Sequence, residues 1–489
     1  MPALVRNVIL IVSDTLRRDC VGAYGPPPWF DVPTFTPHLD RFAARCLVFD
    51  RAYSSSFPTV PLRNDLLTGR ATFTYKPWAP LDRDEVTLQD RLNEAQILTS
   101  LVVDTPHPFA PGFNYQRGFQ AWELIRGQEH DRWKSHPRDP ALPCPPHQLR
   151  NPEGTVKQYL RNVHRRVREE EYFCARTMRA AAEWLEENRD GEPFFLYVDT
   201  FDPHEPWDPP RHYVDRYDPG YDGAEVIYPA YDRCDYLSEA ELRHCRALYA
   251  GEVSLVDRWV GHLLDTVEAL GLMDRTAIFF LSDHGFYLGD HGYMGKSLIT
   301  ARYQQTIPLY PEVCHIPWLV YLPGAAPRRV QALAQPLDLM PTILDLLGVP
   351  KPDGLHGTSL LPVLTGSAAE VREVAIASPT LSGATVTVPH PTARATITDG
   401  EWLLVFGSQV DRVTDEETTQ AVDSVLRRVR TLEQGPIRPE LYDLRADPGA
   451  TQNRFAPDAP AARRLHAAFV ATLERCGVLE AHLRFFREL

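Results

Sequence analysis

The sequence predicts an α/β protein with a mostly parallel sheet flanked by helices, followed by a smaller unit built on an antiparallel sheet. Two observations support this prediction: short continuous apolar runs separated by amphipathic stretches, and a change of pattern in the last quarter of the chain. Unbroken apolar runs are typical of strands buried on both faces, and helices that alternate with such strands indicate an α/β fold.

Four apolar runs are the candidate central strands. They are NVILIVSD from Asn7, LTSLVVDTPH from Leu98, PFFLYVDTFDPH from Pro193 and TAIFFLSDHG from Thr276. Residues 168–188 and 238–270 carry helical patterns and precede the last two runs. We therefore expect strands and helices to alternate along this part of the chain.

After about residue 370 the apolar pattern changes from continuous to alternating, as in TARATITDGEWLLVF. Alternation indicates strands with one buried face. A helical tail begins at about Pro460, residues 414–435 read as a surface helix or insertion, and the Pro-rich segment from His136 reads as a surface excursion. We predict an α/β domain over residues 1–370 and an α+β subdomain over residues 371–489.

Composition excludes several classes of protein. With 489 residues, 44% of them apolar and 24% charged, the chain is an ordinary globular one with more than a single simple core. The formal net charge of −14 argues against a general nucleic-acid binder. Eight cysteines without a CxxC pair favour buried free thiols. No run reaches membrane-spanning length, so we expect no membrane partner and a cytoplasmic location; the oligomeric state is left open.

Acidic or imidazole side chains follow each apolar run. In open α/β sheets, ligands bind at the carboxyl ends of the strands, so these groups are expected to converge. Carboxylates and imidazoles in one pocket favour a divalent cation, because their charges otherwise repel. The residues are Asp14, Asp104, His107, Asp199, Asp202, His204, Asp283 and His284.

Thr59 lies in SFPTVPLRNDLLTGR, where a loop turns into a helix. Because Pro61 suits a first helical turn, Thr59 or a close neighbour could be the N-cap. The same position suits a nucleophile, because free N–H groups and the helix dipole stabilise an anion there. Arg63 and Lys296 could add fixed positive charge. The sequence leaves both roles open.

Five motifs carry a family resemblance over nearly the whole chain. They are NVILIVSDTLRRDCVGAYG, TVPLRNDLLTGR, LSDHGFYLGDHGYMGK, DLMPTILDLLGVP and ELYDLRADPGATQN. In their order and spacing they resemble the sulfatase family of the alkaline phosphatase superfamily, in its sulfatase and phosphonate monoester hydrolase branch. The resemblance implies an alkaline phosphatase-like fold and a metal-dependent hydrolase of small anionic esters.

The resemblance also assigns roles to single residues. It makes Asp14, Asp283 and His284 metal ligands and places Thr59 at the nucleophile position, where Thr59 also touches the metal. Arg63 would hold the nucleophile, while Lys296 and His204 would contact the transferred group or protonate the leaving oxygen. Three weaker candidates for the site are Lys76, His107 and His291.

Two departures from the family pattern bear on the chemistry. Relatives usually carry Cys or Ser, oxidised to formylglycine, where this chain has Thr59, and the β-methyl group of Thr prevents that conversion. Thr15 stands where many relatives have a second Asp ligand. With fewer carboxylates, one Mn²⁺ or Zn²⁺ ion is favoured, and Ca²⁺ or Mg²⁺ is an alternative. Asp202 and His204 could join a second metal site, but DPHEPW is closer to the one-metal branch.

The expected activity is hydrolysis of phosphodiesters, phosphonate monoesters or sulfate esters through Thr59, with phosphoryl esters slightly preferred. A true sulfuric ester hydrolase is the first alternative. A catalytically silent binding relative is the second, and a transferase that passes its covalent intermediate to an alcohol is the third. The segments IRGQEHDRW and FDPHEPWDPPRHYVDRY are candidates for the pocket wall or for plain surface loops.

Overall fold

The computed structural model describes residues 5–135, 139–299, 304–384, 389, 392–408 and 438–489. The surface helix or insertion predicted for residues 414–435 and the start of the Pro-rich segment at residues 136–138 lie outside these ranges. All eight cysteines lie within them and are free, and six are buried.

A sheet of eight strands forms the centre of the molecule. In chain order the strands are β1 (Asn7–Ser13), β2 (Leu47–Ala52), β3 (Leu98–Val103), β4 (Ala121–Leu124), β5 (Phe194–Thr200), β6 (Thr276–Ser282), β7 (Trp318–Tyr321) and β8 (Arg328–Ala334). Their spatial order is β8-β2-β7-β6-β1-β5-β3-β4. Only β7 runs antiparallel to its neighbours, and the other described pairs are parallel. The mostly parallel sheet predicted from the sequence is confirmed.

Helices cover both faces of this sheet. The longer ones are α1 (Pro37–Ala43), α2 (Thr59–Thr68), α3 (Leu88–Glu94), α4 (Lys157–Val163), α5 (Phe173–Asn188), α6 (Glu239–Ala269) and α7 (Leu339–Leu346). Short helices span Arg211–Val214, Pro311–Cys314 and Leu361–Leu364. Alternate residues of β1 enter two different apolar clusters: Ile9 and Ile11 pack with α5 and α6, and Val8 and Leu10 pack with α2 and α7. The alternation shows that β1 is buried on both faces.

Local sequence and backbone conformation determine where helices α6 and α5 begin. Ser238 accepts from the backbone N–H of Glu241 and forms a capping box with it, so α6 begins where its pattern predicts. Helix α5 begins at Phe173, later than the pattern that starts at residue 168. Tyr172 has an extended backbone there, and Glu169–Glu171 form a separate 3₁₀ turn.

A four-stranded antiparallel sheet follows the central sheet in the chain and confirms the second part of the predicted fold class. Its strands are β9 (Ala375–Ala377), β10 (Arg394–Thr398), β11 (Trp402–Gly407) and β12 (Glu440–Asp443), in that spatial order. Helix α8 (Pro460–Arg475) packs on it, and a short helix, Glu480–Leu483, follows. The domain boundary near residue 370 stays a prediction.

Short strands complete the described structure. Asp232–Arg233, Tyr293–Gly295 and Tyr287–Leu288 form a three-stranded antiparallel sheet, and Leu298–Ile299 pairs with Gln304–Gln305. Across the described ranges, every helix is too short or too polar to traverse a lipid bilayer.

Candidate active site

The pairing of β1 with both neighbours brings three acidic residues to one edge of the sheet. Ser13 is in register with Thr200 of β5 and with Ser282 of β6. Asp14 and Asp283 therefore leave the sheet side by side, and Asp199 precedes Thr200 on the neighbouring strand. This edge is the carboxyl end of the parallel strands, where the sequence predicted a site.

Asp14, Asp283 and His284 form a buried cluster whose ligand atoms all lie within 4.8 Å of one another. Asp283 Oδ1 accepts from the backbone N–H groups of Thr15 and His284, at 2.8 and 2.7 Å. Thr15 Oγ1 donates to Asp14 Oδ1 at 2.7 Å. Asp14 Oδ2 is buried and accepts no hydrogen bond of good geometry within the described residues, and the guanidinium of Arg63 pairs with it at 3.1 Å. A buried carboxylate oxygen that is balanced only by an ion pair suits a metal ligand.

The orientation of His284 also suits a metal. Its Nδ1 lies 3.1 Å from the carbonyl oxygen of Gly285 and must carry the proton, because a carbonyl oxygen only accepts. Nε2 is then the nitrogen with a free lone pair, which is the common arrangement of a metal-binding histidine. Burial and the positive charges of Lys296 and Arg63 lower the pKa of His284 to about 3, despite the carboxylate of Asp283. The imidazole is therefore neutral at pH 7.

Arg63 connects this cluster to helix α2. Its Nε and Nη2 bind both carboxylate oxygens of Asp199, at 3.0 and 2.8 Å. Its Nη1 lies 3.1 Å from Asp14 Oδ2, contacts Asp283 Oδ2, and is 3.5 Å from the carbonyl oxygen of Thr59. Because Arg63 is buried, its pairing with these carboxylates fixes the start of α2 against the edge of the sheet.

Thr59 is the first residue of α2, and the cap position before it is Pro58. No side-chain hydrogen bond caps the helix, so the capping role that the sequence left open for Thr59 is not observed. Thr59 instead lines a pocket. The first turn of α2 lies beside it, with N–H groups that have no partner inside the helix.

The loop before Thr59 is fixed by distant parts of the chain. Asp65 accepts hydrogen bonds from Ser55 Oγ, Ser56 N and Ser56 Oγ, at 2.5, 2.9 and 2.9 Å. The backbone of Phe57 donates to the carbonyl oxygen of Ser378 at 2.9 Å, so the segment after β9 also supports this loop. Thr59 is therefore held on both sides before any substrate binds.

The pocket has a volume of about 600 Å³ and combines charged with apolar walls. Thr59, Lys296 and His204 are among the residues that line it. Its other charged residues are His107, Glu129 and Arg150, and its apolar surface comes from Phe57, Pro58, Pro61, Trp78, Tyr231, Ile299 and Pro379. The chemistry of the lining suits an anionic group attached to an apolar or aromatic remainder.

Lys296 and His204 line the pocket, and the ammonium group of Lys296 lies close to the buried cluster. Lys296 Nζ lies 3.9 Å from Asp14 Oδ1, 3.2 Å from Thr15 Oγ1 and 3.4 Å from His284 Nε2. Burial lowers the pKa of Lys296, although the carboxylate of Asp14 opposes this. His204 Nδ1 lies 2.7 Å from the carbonyl oxygen of Glu205, and burial together with Lys296 lowers the pKa of His204 well below its usual value.

Several residues at strand ends do not join the site. Asp104 accepts from the backbone N–H of Phe201 at 2.5 Å, and Asp202 accepts from Gln128 Nε2 at 2.7 Å. Both carboxylates are buried and satisfied by loop groups, so we read them as structural. Asp202 is absent from the metal-type clusters of the described residues.

Of the three weaker candidates, one lines the pocket and two do not within the described residues. His107 lines the pocket. Lys76 is absent from its lining in the described residues, because its ammonium binds Glu85 at 2.5 Å. His291 binds Glu312 at 3.2 Å and stacks on Tyr310, and it is likewise absent from the described lining.

Sequence reasoning missed two charged residues of the pocket wall. Arg150 ends the Pro-rich segment read as a surface excursion, yet its guanidinium binds Glu205 at 2.8 Å and Glu129 at 3.2 Å. Glu129 lies in IRGQEHDRW, the segment proposed for the wall. The available signal was a mixture of Arg, Glu and His in loops after neighbouring strands, which does not by itself indicate which side chains turn inward.

Comparisons with known proteins show the family of the chain. The model of the sulfatase family matches residues 6–349. The chain is 27% identical over 427 residues to the multifunctional alkaline phosphatase superfamily protein PehA of Trinickia caryophylli, which covers 73% of this chain and 77% of that one. It is 24% identical over 400 residues to an arylsulfatase of Clostridium perfringens, with 72% and 77% covered.

A solved structure shows the same fold. The phosphonate monoester hydrolase of Agrobacterium radiobacter superposes with a TM-score of 0.71 at 22% identity, covering 96% of this chain and 95% of that one. Fold and relatives define a sulfatase-like ester hydrolase. The chain belongs to the sulfatase family.

Proposed function

We propose that the protein is a metal-dependent hydrolase of anionic esters that uses Thr59 as its nucleophile. The observation that carries the proposal is the position of Thr59: it lines the pocket at the start of α2, and Arg63, one turn on, contacts Asp14 and Asp283. Thr59 and Lys296 thus line one cavity, and Lys296 lies next to the candidate metal site, an arrangement that suits transfer of an anionic group.

Asp14, Asp283 and His284 are the residues that would hold the cation. The site contains three carboxylates, those of Asp14, Asp199 and Asp283, and two cationic side chains, Arg63 and Lys296. Its formal net charge is therefore one negative charge, and a bound divalent cation would make the net charge positive. Bound there, the ion would supply Lewis-acid charge at the nucleophile and the transferred group. Mn²⁺ or Zn²⁺ suits a site with one imidazole and two carboxylates, and Ca²⁺ or Mg²⁺ is the alternative.

The proposed reaction has two chemical steps, and protein side chains act in both. In the first step a bond forms from Thr59 Oγ1 to the phosphorus or sulfur atom and the bond to the leaving oxygen breaks; the hydroxyl proton of Thr59 passes to solvent, and the leaving oxygen takes a proton from His204. Lys296 and the N–H groups at the start of α2 would stabilise the anion. In the second step water attacks the same centre and the bond to Thr59 Oγ1 breaks; His204 takes a proton from the water, and the Thr59 oxygen regains a proton from solvent.

His204 would protonate the leaving oxygen. Its Nδ1–H donates to the carbonyl oxygen of Glu205, so Nε2 is the nitrogen that can take up and release a proton. The buried imidazole is neutral in the free protein. An anionic ester beside it favours the protonated form, because opposite charges raise a histidine pKa. Proton uptake is thereby coupled to substrate binding.

Phosphodiesters or phosphonate monoesters are the proposed better substrates, with sulfate esters as the close alternative. A Thr ester lacks the second hydroxyl through which a formylglycine hydrate expels sulfate, so water must attack the bound centre directly. Phosphoryl-threonine suits that attack better than sulfo-threonine.

The test is a comparison of kcat/KM for a phosphodiester, a phosphonate monoester and an aryl sulfate with the same 4-nitrophenol leaving group, each with Mn²⁺, Zn²⁺, Mg²⁺ or Ca²⁺. We expect the phosphoryl substrates to react fastest. A preference for the sulfate above about tenfold, about 1.4 kcal/mol in transition-state binding, would overturn the order. Tight binding of these esters without turnover would instead support a catalytically silent relative.

A further inference from the structure

A second group of metal-type side chains lies at the pocket, apart from Asp14, Asp283 and His284. His107 follows β3, and Glu129 and His130 follow β4. Because β3 and β4 pair in parallel, with Val103 opposite Leu124, the two loops leave the sheet at the same edge. His107 and Glu129 line the same pocket as Thr59.

The two imidazoles converge on one carboxylate oxygen. His107 Nε2 lies 3.1 Å from Glu129 Oε2, and His130 Nδ1 lies 2.7 Å from the same atom. The three ligand atoms all lie within 4.8 Å of one another. Without a metal, His107 Nε2 and His130 Nδ1 must each carry a proton to approach the carboxylate oxygen this closely. A cation bound to both nitrogens and to Glu129 Oε2 would replace these two protons.

The surroundings hold Glu129 in the orientation that such a site requires. Its other oxygen, Oε1, accepts from Tyr228 and lies 3.2 Å from Arg150, so Oε2 is left for the histidines. Bonds of this kind from outside a ligand set orient the ligands. Glu129 also has a φ of 47°, a left-handed conformation that non-glycine residues adopt rarely and often at functional sites.

We propose that His107, Glu129 and His130 form a second metal site of the zinc class in the wall of the pocket. Two imidazoles and one carboxylate are a ligand set of catalytic zinc sites, which keep a further position open. Imidazole-rich sites select Zn²⁺ over Ca²⁺ and Mg²⁺. The side chain of His130 is 51% exposed and that of Glu129 only 4%, so the site joins solvent to the pocket interior.

The open position would serve the leaving-group part of the substrate. Thr59 shares the pocket with His107 and Glu129, and an ester bound at Thr59 extends from the reacting centre along its walls. An oxygen or nitrogen donor on the leaving group could then complete the coordination of the second ion. The site thus favours esters whose leaving group carries such a donor, and its metal occupancy does not depend on the proposed role of Thr59.

The test counts zinc ions in the full chain. Metal-stripped protein is equilibrated with Zn²⁺ by dialysis, and bound zinc is measured by elemental analysis. We expect two ions per chain in the wild type, one in His130→Ala, one in Asp283→Asn and none in the double variant. Since His130 is half exposed, His130→Ala should fold, and thermal unfolding checks this.

His212→Ala is the matched control. His212 is 67% exposed and lies 3.8 Å from Glu169, and no second imidazole joins this pair among the metal-type clusters of the described residues. It should keep two ions. If the wild type binds a single ion and only Asp283→Asn loses it, the second site would be overturned and the first site would stand. Equal zinc in His130→Ala and the wild type would also overturn it, and the three side chains would then form a hydrogen-bonded group only.

Discussion

Arg63 Nη1 lies 3.1 Å from Asp14 Oδ2, so a guanidinium group on helix α2 touches a carboxylate that follows strand β1. Both side chains are buried. The contact joins the helix that begins with Thr59 to the cluster of Asp14, Asp283 and His284. Arg63 is therefore one of the contacts that set the position of Thr59 relative to this cluster.

Removal of Arg63 should destabilise the fold. Arg63→Ala leaves Asp14, Asp199 and Asp283 buried without their cationic partner, and breaking a buried ion pair in this way costs about 3–5 kcal/mol. Urea unfolding of metal-free protein measures this free energy. Arg41→Ala is the control, because Arg41 pairs with Asp265 on the surface and should contribute less than about 1 kcal/mol. Equal losses in the two variants would contradict the bridging role of Arg63.

Metal binding at Asp14, Asp283 and His284 should stabilise the protein. A ligand present at 100 times its Kd adds about 2.7 kcal/mol to the free energy of unfolding. We expect Mn²⁺ to raise the Tm of the wild type and of His130→Ala, and to raise it much less in Asp283→Asn. Differential scanning calorimetry with and without a chelator measures the shift. The same increase in Asp283→Asn as in the wild type would place the ion elsewhere.

The effect of removing His204 on kcat/KM should depend on the leaving group. A general acid contributes about 10²–10⁴-fold when the leaving oxygen is basic and little when it departs readily. His204→Ala should therefore slow alkyl esters by that factor and 4-nitrophenyl esters less than about tenfold. The measurement is kcat/KM across a series of leaving groups. His291→Ala, outside the described pocket lining, should show no such dependence, and equal losses for all esters in His204→Ala would remove His204 as the acid.

The acidic residues at the ends of strands were the part of the site that the sequence predicted best. Asp14 and Asp283 directly follow buried apolar strands, and parallel pairing alone brings them together at one edge. Helix α6 was equally predictable, because its capping box is a local signal. Strand position could not distinguish Asp199, which binds Arg63, from Asp104, which binds the backbone N–H of Phe201, since the difference arises in loops.

The role of Thr59 could not be decided from the sequence because its surroundings come from distant segments. The backbone N–H of Phe57 donates to the carbonyl oxygen of Ser378, more than 300 residues further along the chain, and this contact leaves no signal in the sequence around Thr59. Arg150 was missed for the same reason, because its carboxylate partners, Glu129 and Glu205, lie in two other loops.

The central claim is that Thr59 forms the covalent bond, and turnover by Thr59→Ala tests it most directly. Thr59 caps no helix, so its removal should cost little stability, and an unchanged Tm would show that the variant is folded. We predict that kcat/KM for the best ester falls by several orders of magnitude, while Thr68→Ala, at the other end of α2, stays active. A folded Thr59→Ala protein with activity within about tenfold of the wild type would contradict the account.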